Sequence, residues 1–163
     1  MRIFLCGDLM LGRGIDQILP SPADPRLHEP YVRDARGYIE LAEEQNGPIP
    51  RGVNPTYVWG DLLEALDKRL PEMRVGNLET SITTSDTPDI TKGIHYRMSP
   101  SNATVLAAAS FDCLTLANNH VLDWGTEGLN DTIATLGRQG VGRCGAGSTL
   151  GEAATPCVIG KED

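Results

Sequence analysis

The chain has 163 residues, of which 40% are hydrophobic and 22% charged, and its formal net charge is −8. This length and composition suit one globular domain and exclude a disordered chain. A protein that follows a nucleic-acid backbone needs a basic surface, so the acidic balance argues against nucleic acid as a partner. Acidic chains can attract cations, although solvation of the surface is the commoner reason for such a charge.

The hydropathy of the sequence gives no sign of a signal peptide or of a membrane-spanning segment. The apolar start of the chain is interrupted by Asp8, before it reaches the roughly 7–15 residues of a signal-peptide core. No apolar run approaches the length of a membrane-spanning helix. The four cysteines form no Cys-x-x-Cys pair, which favours free buried thiols in a reducing compartment. The sequence therefore predicts a cytoplasmic protein with no membrane segment in this chain.

Apolar runs of strand length alternate along the chain with helical stripes. The predicted strands lie at residues 2–5, 73–76, 94–98, 112–117, 141–147 and 155–159, and the first is expected to end where Asp8 appears. A helical stripe at residues 61–70 is stopped by Pro71, and two further helices follow the third and fourth strands. This alternation predicts an α/β fold with a largely parallel sheet.

Individual residues mark the ends of the two later helices. Ser99 is the expected N-cap of the first, with Pro100 at its first helical position. Its predicted apolar face is Ala103, Leu106, Ala107 and Ser110. Thr126 is the expected cap of the second helix, which Gly140 should end. Its predicted buried stripe is Leu129, Ile133 and Leu136.

Residues 20–55 differ from the rest of the chain, because they hold seven of its eleven prolines and show little periodicity. We expect a long surface insertion there, with a short helix near residues 38–45. Loops of this length often lie over a functional site, and a solvated excursion without function is an equally good interpretation. The chain also stops soon after an apolar run begins at Thr155, so we expect the domain to be truncated.

Polar side chains follow three of the predicted strands, at the edge where open α/β sheets bind ligands. Carboxylate and amide oxygens suit hard divalent cations, and a histidine can bind a metal or move a proton near neutral pH. Taken alone, each of these residues is explained as well by a turn, a cap or a surface position. Taken together, they predict a site at this edge. The residues are Asp8, Asn77, Glu79, Asn118, Asn119, His120 and Asp123.

Four short elements carry a more specific signal. They are Gly-Asp-Leu-Met-Leu-Gly-Arg at 7–13, Asn-Leu-Glu-Thr at 77–80, Ala-Asn-Asn-His-Val-Leu-Asp-Trp-Gly at 117–125 and Gly-Ala-Gly at 145–147. Together they resemble the poly-γ-glutamate capsule-synthesis family usually called CapA, which looks like a branch of the calcineurin-like metallophosphoesterases. The resemblance covers nearly the whole chain apart from the insertion. It implies a metallophosphatase-like layered sheet with flanking helices, of which residues 1–163 form the N-terminal part.

The resemblance also implies a role for each strand-end residue. Asp8, Glu79 and Asn119 would be ligands for one or two divalent metal ions, with Mn, Mg, Zn and Fe as candidates. His120 would stabilise or protonate the leaving oxygen, and Asp123 would orient His120 or add a ligand. The residues expected to contact an anionic small-molecule or polymer substrate are Arg13, Asn77 and Asn118. For Arg13, a surface salt bridge is an equally good interpretation.

Two departures from the phosphoesterase pattern matter. Met10 stands where a histidine ligand is expected, and no histidine follows His120 in this sequence. The other histidines, His28 and His95, lie outside the matching motifs. We therefore expect this chain alone to have little or no activity. We also expect it to self-associate through hydrophobic surface that the truncation exposes.

Two functions from different classes follow. The first is a metal-dependent, phosphatase-like hydrolase or transferase cleft in capsule or poly-γ-glutamate metabolism. The second is a non-catalytic accessory or anionic-polymer-binding module, which Met10 and the missing later ligands favour. A flavodoxin-like small-molecule binder is a weaker third interpretation, because Gly12-Arg13-Gly14 is too short for a phosphate loop and lacks its Lys-Ser/Thr partner.

Overall fold

A parallel β-sheet forms the centre of the protein. The computed structural model describes residues 1–160. Within them the strands of the main sheet are β1 (Ile3–Leu9), β2 (Met73–Leu78), β5 (Cys113–Thr115) and β6 (Gly142–Cys144). They lie in the order β1-β2-β5-β6, and every neighbouring pair is parallel. A separate parallel pair consists of β3 (Ser81–Ile82) and β4 (Arg97–Met98). The predicted α/β class with a parallel sheet is confirmed.

Helices provide the crossovers that parallel strands need. Those in the described part of the chain are α1 (Arg13–Ile18), α2 (Arg36–Asn46), α3 (Leu62–Arg69), α4 (Thr104–Ala109), α5 (Gly125–Arg138) and α6 (Leu150–Ala154). Short 3₁₀ turns at Tyr57–Trp59 and Pro100–Asn102 precede α3 and α4. Among residues 1–160, no helix has the length and apolarity that crossing a membrane requires. Fully buried core side chains include Leu78, Ile82, Met98, Leu106, Leu114, Leu116 and Leu136.

The first strand is longer than predicted. It runs to Leu9, so Asp8 lies inside the strand and not after it, and Asp8 is exposed. In the ladder, Asp8 is the partner of Asn77, after a register irregularity between Leu5 and Asp8. Backbone pairing with β2 continues past the polar residue because the pairing does not depend on side-chain polarity. The two residues predicted to follow separate strands are therefore direct neighbours.

The helix after Ser99 begins as predicted but buries a different face. Ser99 is the N-cap of a 3₁₀ turn that opens with Pro100, and its Oγ accepts a hydrogen bond from the Ser101 N–H. The α-helix proper begins only at Thr104. A 3₁₀ turn has about 3.0 residues per turn, so it shifts the phase of the helix that follows. Ala103, Val105, Leu106 and Ala109 are consequently buried, whereas Ala107 and Ser110 are exposed.

Two further predictions, the cap of α5 and the last strand, are wrong. Trp124 is the N-cap of α5, so Thr126 lies inside the first turn and caps nothing. Residues 155–159 form no strand in the described part of the chain, where Pro156 lacks the N–H that a ladder requires. Gly140 does follow the end of α5, and its φ of 69° is the left-handed conformation that glycine adopts readily.

The cysteines are free, as predicted, but they are less buried than expected. Cys113 is buried, whereas Cys6, Cys144 and Cys157 are half-buried. Burial raises the pKa of the Cys113 thiol, which keeps that group in its protonated, unreactive form near neutral pH.

The proline-rich insertion packs against the domain and is not a solvated excursion. It contains α2, which extends beyond the predicted 38–45 helix at both ends, and a single antiparallel bridge between Arg26 and Asp34. Helix α2 packs against α1. Glu29, Ala35, Ile39 and Val53 are buried, so the insertion contributes both polar and apolar groups to the interior.

A buried carboxylate in α1 fastens this insertion to the rest of the fold. Asp16 is 1% exposed. Its oxygens accept hydrogen bonds from the Ala23 N–H at 2.7 Å, the Ser99 N–H at 3.1 Å and Asn102 Nδ2 at 2.7 Å. Burial raises the pKa of Asp16, and these hydrogen bonds oppose that shift. One side chain thus joins the start of the insertion to the turn before α4.

We predict that Asp16→Asn lowers the free energy of unfolding by about 1–3 kcal/mol, because an amide has only one acceptor oxygen for the three donors. Urea denaturation at pH 7 measures the change. Asp61→Asn is the matched control, because Asp61 is exposed and makes no side-chain capping bond to α3. The control should shift stability by less than about 0.5 kcal/mol. Unfolding of Asp16→Asn at the wild-type midpoint would contradict the prediction.

Candidate functional site

Three of the polar residues predicted from the strand ends, Asp8, Asn77 and Asn118, are joined by side-chain hydrogen bonds. Asn77 Nδ2 donates to Asp8 Oδ1 at 2.7 Å, and Asn118 Nδ2 donates to Asn77 Oδ1 at 3.0 Å. Asn118 Nδ2 also donates to the Leu78 carbonyl at 2.9 Å, and its Oδ1 accepts from the His120 N–H at 3.0 Å. The carboxyl ends of β1, β2 and β5 are thereby connected at one edge of the sheet.

A buried histidine–carboxylate pair lies beside this chain of amides. His120 Nδ1 is 2.7 Å from Asp123 Oδ2, and the two residues are 7% and 0% exposed. Asp123 Oδ2 also accepts a hydrogen bond from the Tyr96 N–H at 2.6 Å, and Oδ1 forms an ion pair with Lys92. The carboxylate acceptor places the proton on Nδ1 of His120, since an ionised carboxylate can only accept. Nε2 makes no hydrogen bond within residues 1–160, so it is available for proton transfer.

Tyr96 is the central aromatic residue of the site, and sequence reasoning gave it no functional role. Its ring stacks on the His120 imidazole, with centroids 3.9 Å apart and planes 23° apart. Burial raises the pKa of Tyr96; Arg13 lowers it and Glu79 raises it, so both charges lie near the phenol. The sequence signal was an aromatic residue within the predicted extended segment, which does not reveal its partner.

Arg13 is held inside the protein and is not presented to solvent. Its guanidinium forms an ion pair with Glu29, and their side chains are 13% and 0% exposed. Arg13 Cζ lies 4.8 Å from the Tyr38 ring centroid and 4.6 Å from that of Tyr96. Glu29 and Tyr38 both belong to the proline-rich insertion, and no motif had identified either. A contact between Arg13 and an anionic substrate stays a prediction, and the charge of Arg13 is already paired.

The remaining predicted ligands are less constrained. Glu79 is half-buried, and its backbone N–H donates to the Leu9 carbonyl at 3.2 Å. Asn119 is exposed, and its backbone carbonyl accepts a hydrogen bond from Lys92. Within residues 1–160, no group of three His, Cys, Asp or Glu side chains could hold a metal ion. The oxygen donors suit a hard cation, but the described residues do not by themselves form a complete metal site.

The other two histidines form a separate aromatic cluster. His28, His95 and Trp124 make edge contacts, with ring centroids 5.7–5.9 Å apart. His95 Nε2 is 2.7 Å from the Asp89 carbonyl, and burial lowers the pKa of His28. Both residues lie outside the matching motifs, and neither makes a hydrogen bond to His120 within the described range.

The fold and the site define an α/β protein with a buried histidine–carboxylate pair at the carboxyl edge of a parallel sheet. Residues 2–163 match the family described as bacterial capsule synthesis protein PGA_cap. The chain belongs to this family, which confirms the resemblance found from the strand-end motifs.

Named relatives agree with this assignment. A "Probable polyglutamine synthesis accessory protein" of Mycobacterium tuberculosis is 46% identical over 150 residues, which are 92% of this chain and 40% of the relative. The "PGA biosynthesis protein CapA" of Bacillus subtilis is 29% identical over 119 residues, which are 71% of this chain and 28% of the relative. The chain therefore spans less than half the length of these curated relatives.

We predict that Asn118→Ala speeds amide hydrogen exchange at His120 about 10-fold or more, because the His120 N–H loses its side-chain acceptor. Exchange monitored by NMR measures the effect. Asn119→Ala is the matched control, since that neighbouring residue is exposed and its side chain makes no hydrogen bond within residues 1–160. Equal exchange rates in Asn118→Ala and the wild type would show that Asn118 does not brace this loop.

Proposed function

We propose that this chain carries part of a metal-dependent hydrolase cleft that acts in poly-γ-glutamate or capsule synthesis. The observation that carries the proposal is the buried His120–Asp123 pair beside the hydrogen-bonded chain of Asp8, Asn77 and Asn118. These groups lie at the carboxyl edge of a parallel sheet, where α/β proteins bind their ligands. Membership of the capsule-synthesis family supports the same biological setting.

His120 is the proposed proton donor in this cleft. Hydrolysis of an ester breaks the bond to the leaving oxygen, which needs a proton to depart as an alcohol. In the imidazolium form of His120, one proton would stay on Nδ1 against Asp123 and the second, on Nε2, would pass to the leaving oxygen, which leaves the ring neutral. The support is geometric: Asp123 accepts at Nδ1 and leaves Nε2 without a hydrogen bond inside the described residues.

Asp8, Glu79 and Asn119 are the proposed ligands for one or two divalent cations. A bound cation would activate a water molecule and neutralise charge on an anionic substrate. The hydrogen bond from Asn77 occupies Oδ1 of Asp8 and leaves Oδ2 without a hydrogen bond within residues 1–160. Further ligands have to be added to this set, because the described residues hold no complete metal cluster.

A non-catalytic accessory role, in which the cleft binds an anionic polymer, is the second candidate. Met10 favours it, because a thioether is a poor ligand for a hard cation. Met10 also lines a largely apolar cavity of about 200 Å³ with Ile15, Ile39 and Ile49, and the residues that line this cavity include no carboxylate and no histidine. The mycobacterial relative is itself named an accessory protein.

We predict that the natural gene product containing this chain hydrolyses a phosphodiester or γ-glutamyl substrate only with added divalent metal. His120→Ala should lower kcat about 100-fold or more, because it removes the proton donor. Asp8→Asn should weaken metal binding in calorimetry, because it removes one of the anionic ligands. Asp61→Asn, an exposed carboxylate elsewhere in the fold, is the matched control for both measurements.

Equal rates for the wild type and His120→Ala would rule out the catalytic role. Binding of polyglutamate without hydrolysis and without retained metal would favour the accessory function instead.

We also propose that residues 1–163 self-associate through the edge strand β1. Leu5 and Ile3 point to the same face of that strand and are 70% and 42% exposed. Adjacent exposed apolar side chains promote association. We predict that Leu5→Lys shifts the sedimentation profile towards the monomer, whereas Leu150→Lys, on the 87% exposed Leu150 of α6, does not. A monomeric wild-type chain would contradict the proposal.

A further inference from the structure

Planar side chains are stacked in a row that leads from His120 into the proline-rich insertion. The His120 imidazole stacks on Tyr96 at 3.9 Å, and the Arg13 guanidinium lies 4.6 Å from the Tyr96 centroid. Two groups at these distances cannot share one face of a ring, so His120 and Arg13 lie on opposite faces of Tyr96. Arg13 is in turn 4.8 Å from the ring of Tyr38. We call this row the ring stack; it consists of the rings of His120, Tyr96 and Tyr38 and the guanidinium of Arg13, which lies between the two tyrosines.

Glu29 fixes the end of the ring stack that is farther from His120. Glu29 Oε1 forms the ion pair with Arg13 Nη2, and Oε2 accepts a hydrogen bond from Tyr38 Oη at 2.7 Å. Burial, followed by this hydrogen bond, raises the pKa of Tyr38 to about 12, so the phenol remains a donor near neutral pH. Arg13 Nε has no hydrogen-bond partner within the described residues, and the contact between Arg13 Nη2 and Glu29 Oε1 is an ion pair without the geometry of a hydrogen bond. Glu29 and the two flanking rings are therefore the principal restraints on the guanidinium.

The stack adds to the restraint that Asp123 places on His120. The covalent bond at Cγ and the hydrogen bond at Nδ1 hold one side of the imidazole, but the angular tolerance of a hydrogen bond still allows the ring to tilt. Stacking on Tyr96 fixes the plane of the ring, and with it the direction of Nε2. Tyr96 is held at its backbone by Asp123, while its ring is flanked on the other face by Arg13.

We propose that Glu29 and Arg13 are positioning residues, which hold the His120 imidazole in its orientation through the ring of Tyr96. The catalytic meaning of this orientation rests on the role proposed above for His120. The proline-rich insertion thereby becomes part of the active site, although neither positioning residue has to touch the substrate. Burial of the Arg13–Glu29 ion pair fits such an internal role better than a direct contact with a substrate.

Glu29→Gln tests the proposal, because it removes the charge but keeps the size of the side chain and an acceptor for Tyr38. In ¹H–¹³C spectra, the chemical shift of the His120 Cε1–H group should change, because the ring-current shift from Tyr96 depends on how the two rings are placed relative to each other. With bis(p-nitrophenyl) phosphate and the natural gene product, kcat should fall about 10- to 100-fold while KM is unchanged. Glu43→Gln is the matched control, because the Glu43–Arg51 ion pair lies on the surface of the same insertion.

Two further variants keep the test open if Glu29→Gln does not fold. Tyr38→Phe keeps the ring and removes only the hydrogen bond to Glu29, so it should move the His120 signal in the same direction by a smaller amount. Arg13→Lys keeps the charge and removes the planar group, so it should reproduce the full shift.

An unmoved His120 signal in these folded variants would overturn the proposal, and so would a moved signal with a wild-type kcat. A purely structural role predicts a lower melting temperature, with the His120 signal and kcat unchanged in the folded protein. If the wild type has no esterase activity, the proposed hydrolase function fails. The His120 signal then still decides whether Glu29 and Arg13 orient the ring.

Discussion

The arrangement of the site depends on one buried carboxylate. Asp123 is fully buried. Its carboxylate contacts Nδ1 of His120, accepts a hydrogen bond from the backbone N–H of Tyr96 and forms an ion pair with Lys92. A charge buried without partners costs several kcal/mol. Without these contacts, the buried Asp123 carboxylate would therefore destabilise the folded state. The contacts also bring together the loop after β5 and the segment between β3 and β4, which carries both Lys92 and Tyr96. The position of His120 is a consequence of satisfying Asp123.

Neutral amides connect this buried pair to the sheet. Asn77 and Asn118 can each donate and accept at the same time, so they link the ends of three strands without adding charge. Carboxylates alone at this edge would repel one another. The amides therefore hold the backbone around Asp8 in place without adding negative charge beside it.

The proline-rich insertion shows how a segment without periodicity can still belong to a core. Its buried groups include the carboxylate of Glu29, which forms an ion pair with Arg13 and accepts a hydrogen bond from Tyr38. Ion pairing and ring stacking add to the apolar contacts that Ile39 and Val53 make with the core. The same contacts place the insertion against Tyr96, one ring away from His120.

The sequence by itself determined the α/β class, the parallel sheet and the family, because apolar periodicity and the Asn-Asn-His-x-x-Asp-x-Gly spacing are local properties of the chain. It also brought Asp8, Asn77, Asn118 and His120 to one edge. Only the tertiary structure decided that Asp8 lies inside β1 and that α4 buries a shifted face. Only the tertiary structure revealed Glu29, Lys92 and Tyr96, since stacking and ion pairing between distant residues depend on the path of the backbone. No period or spacing encodes that path.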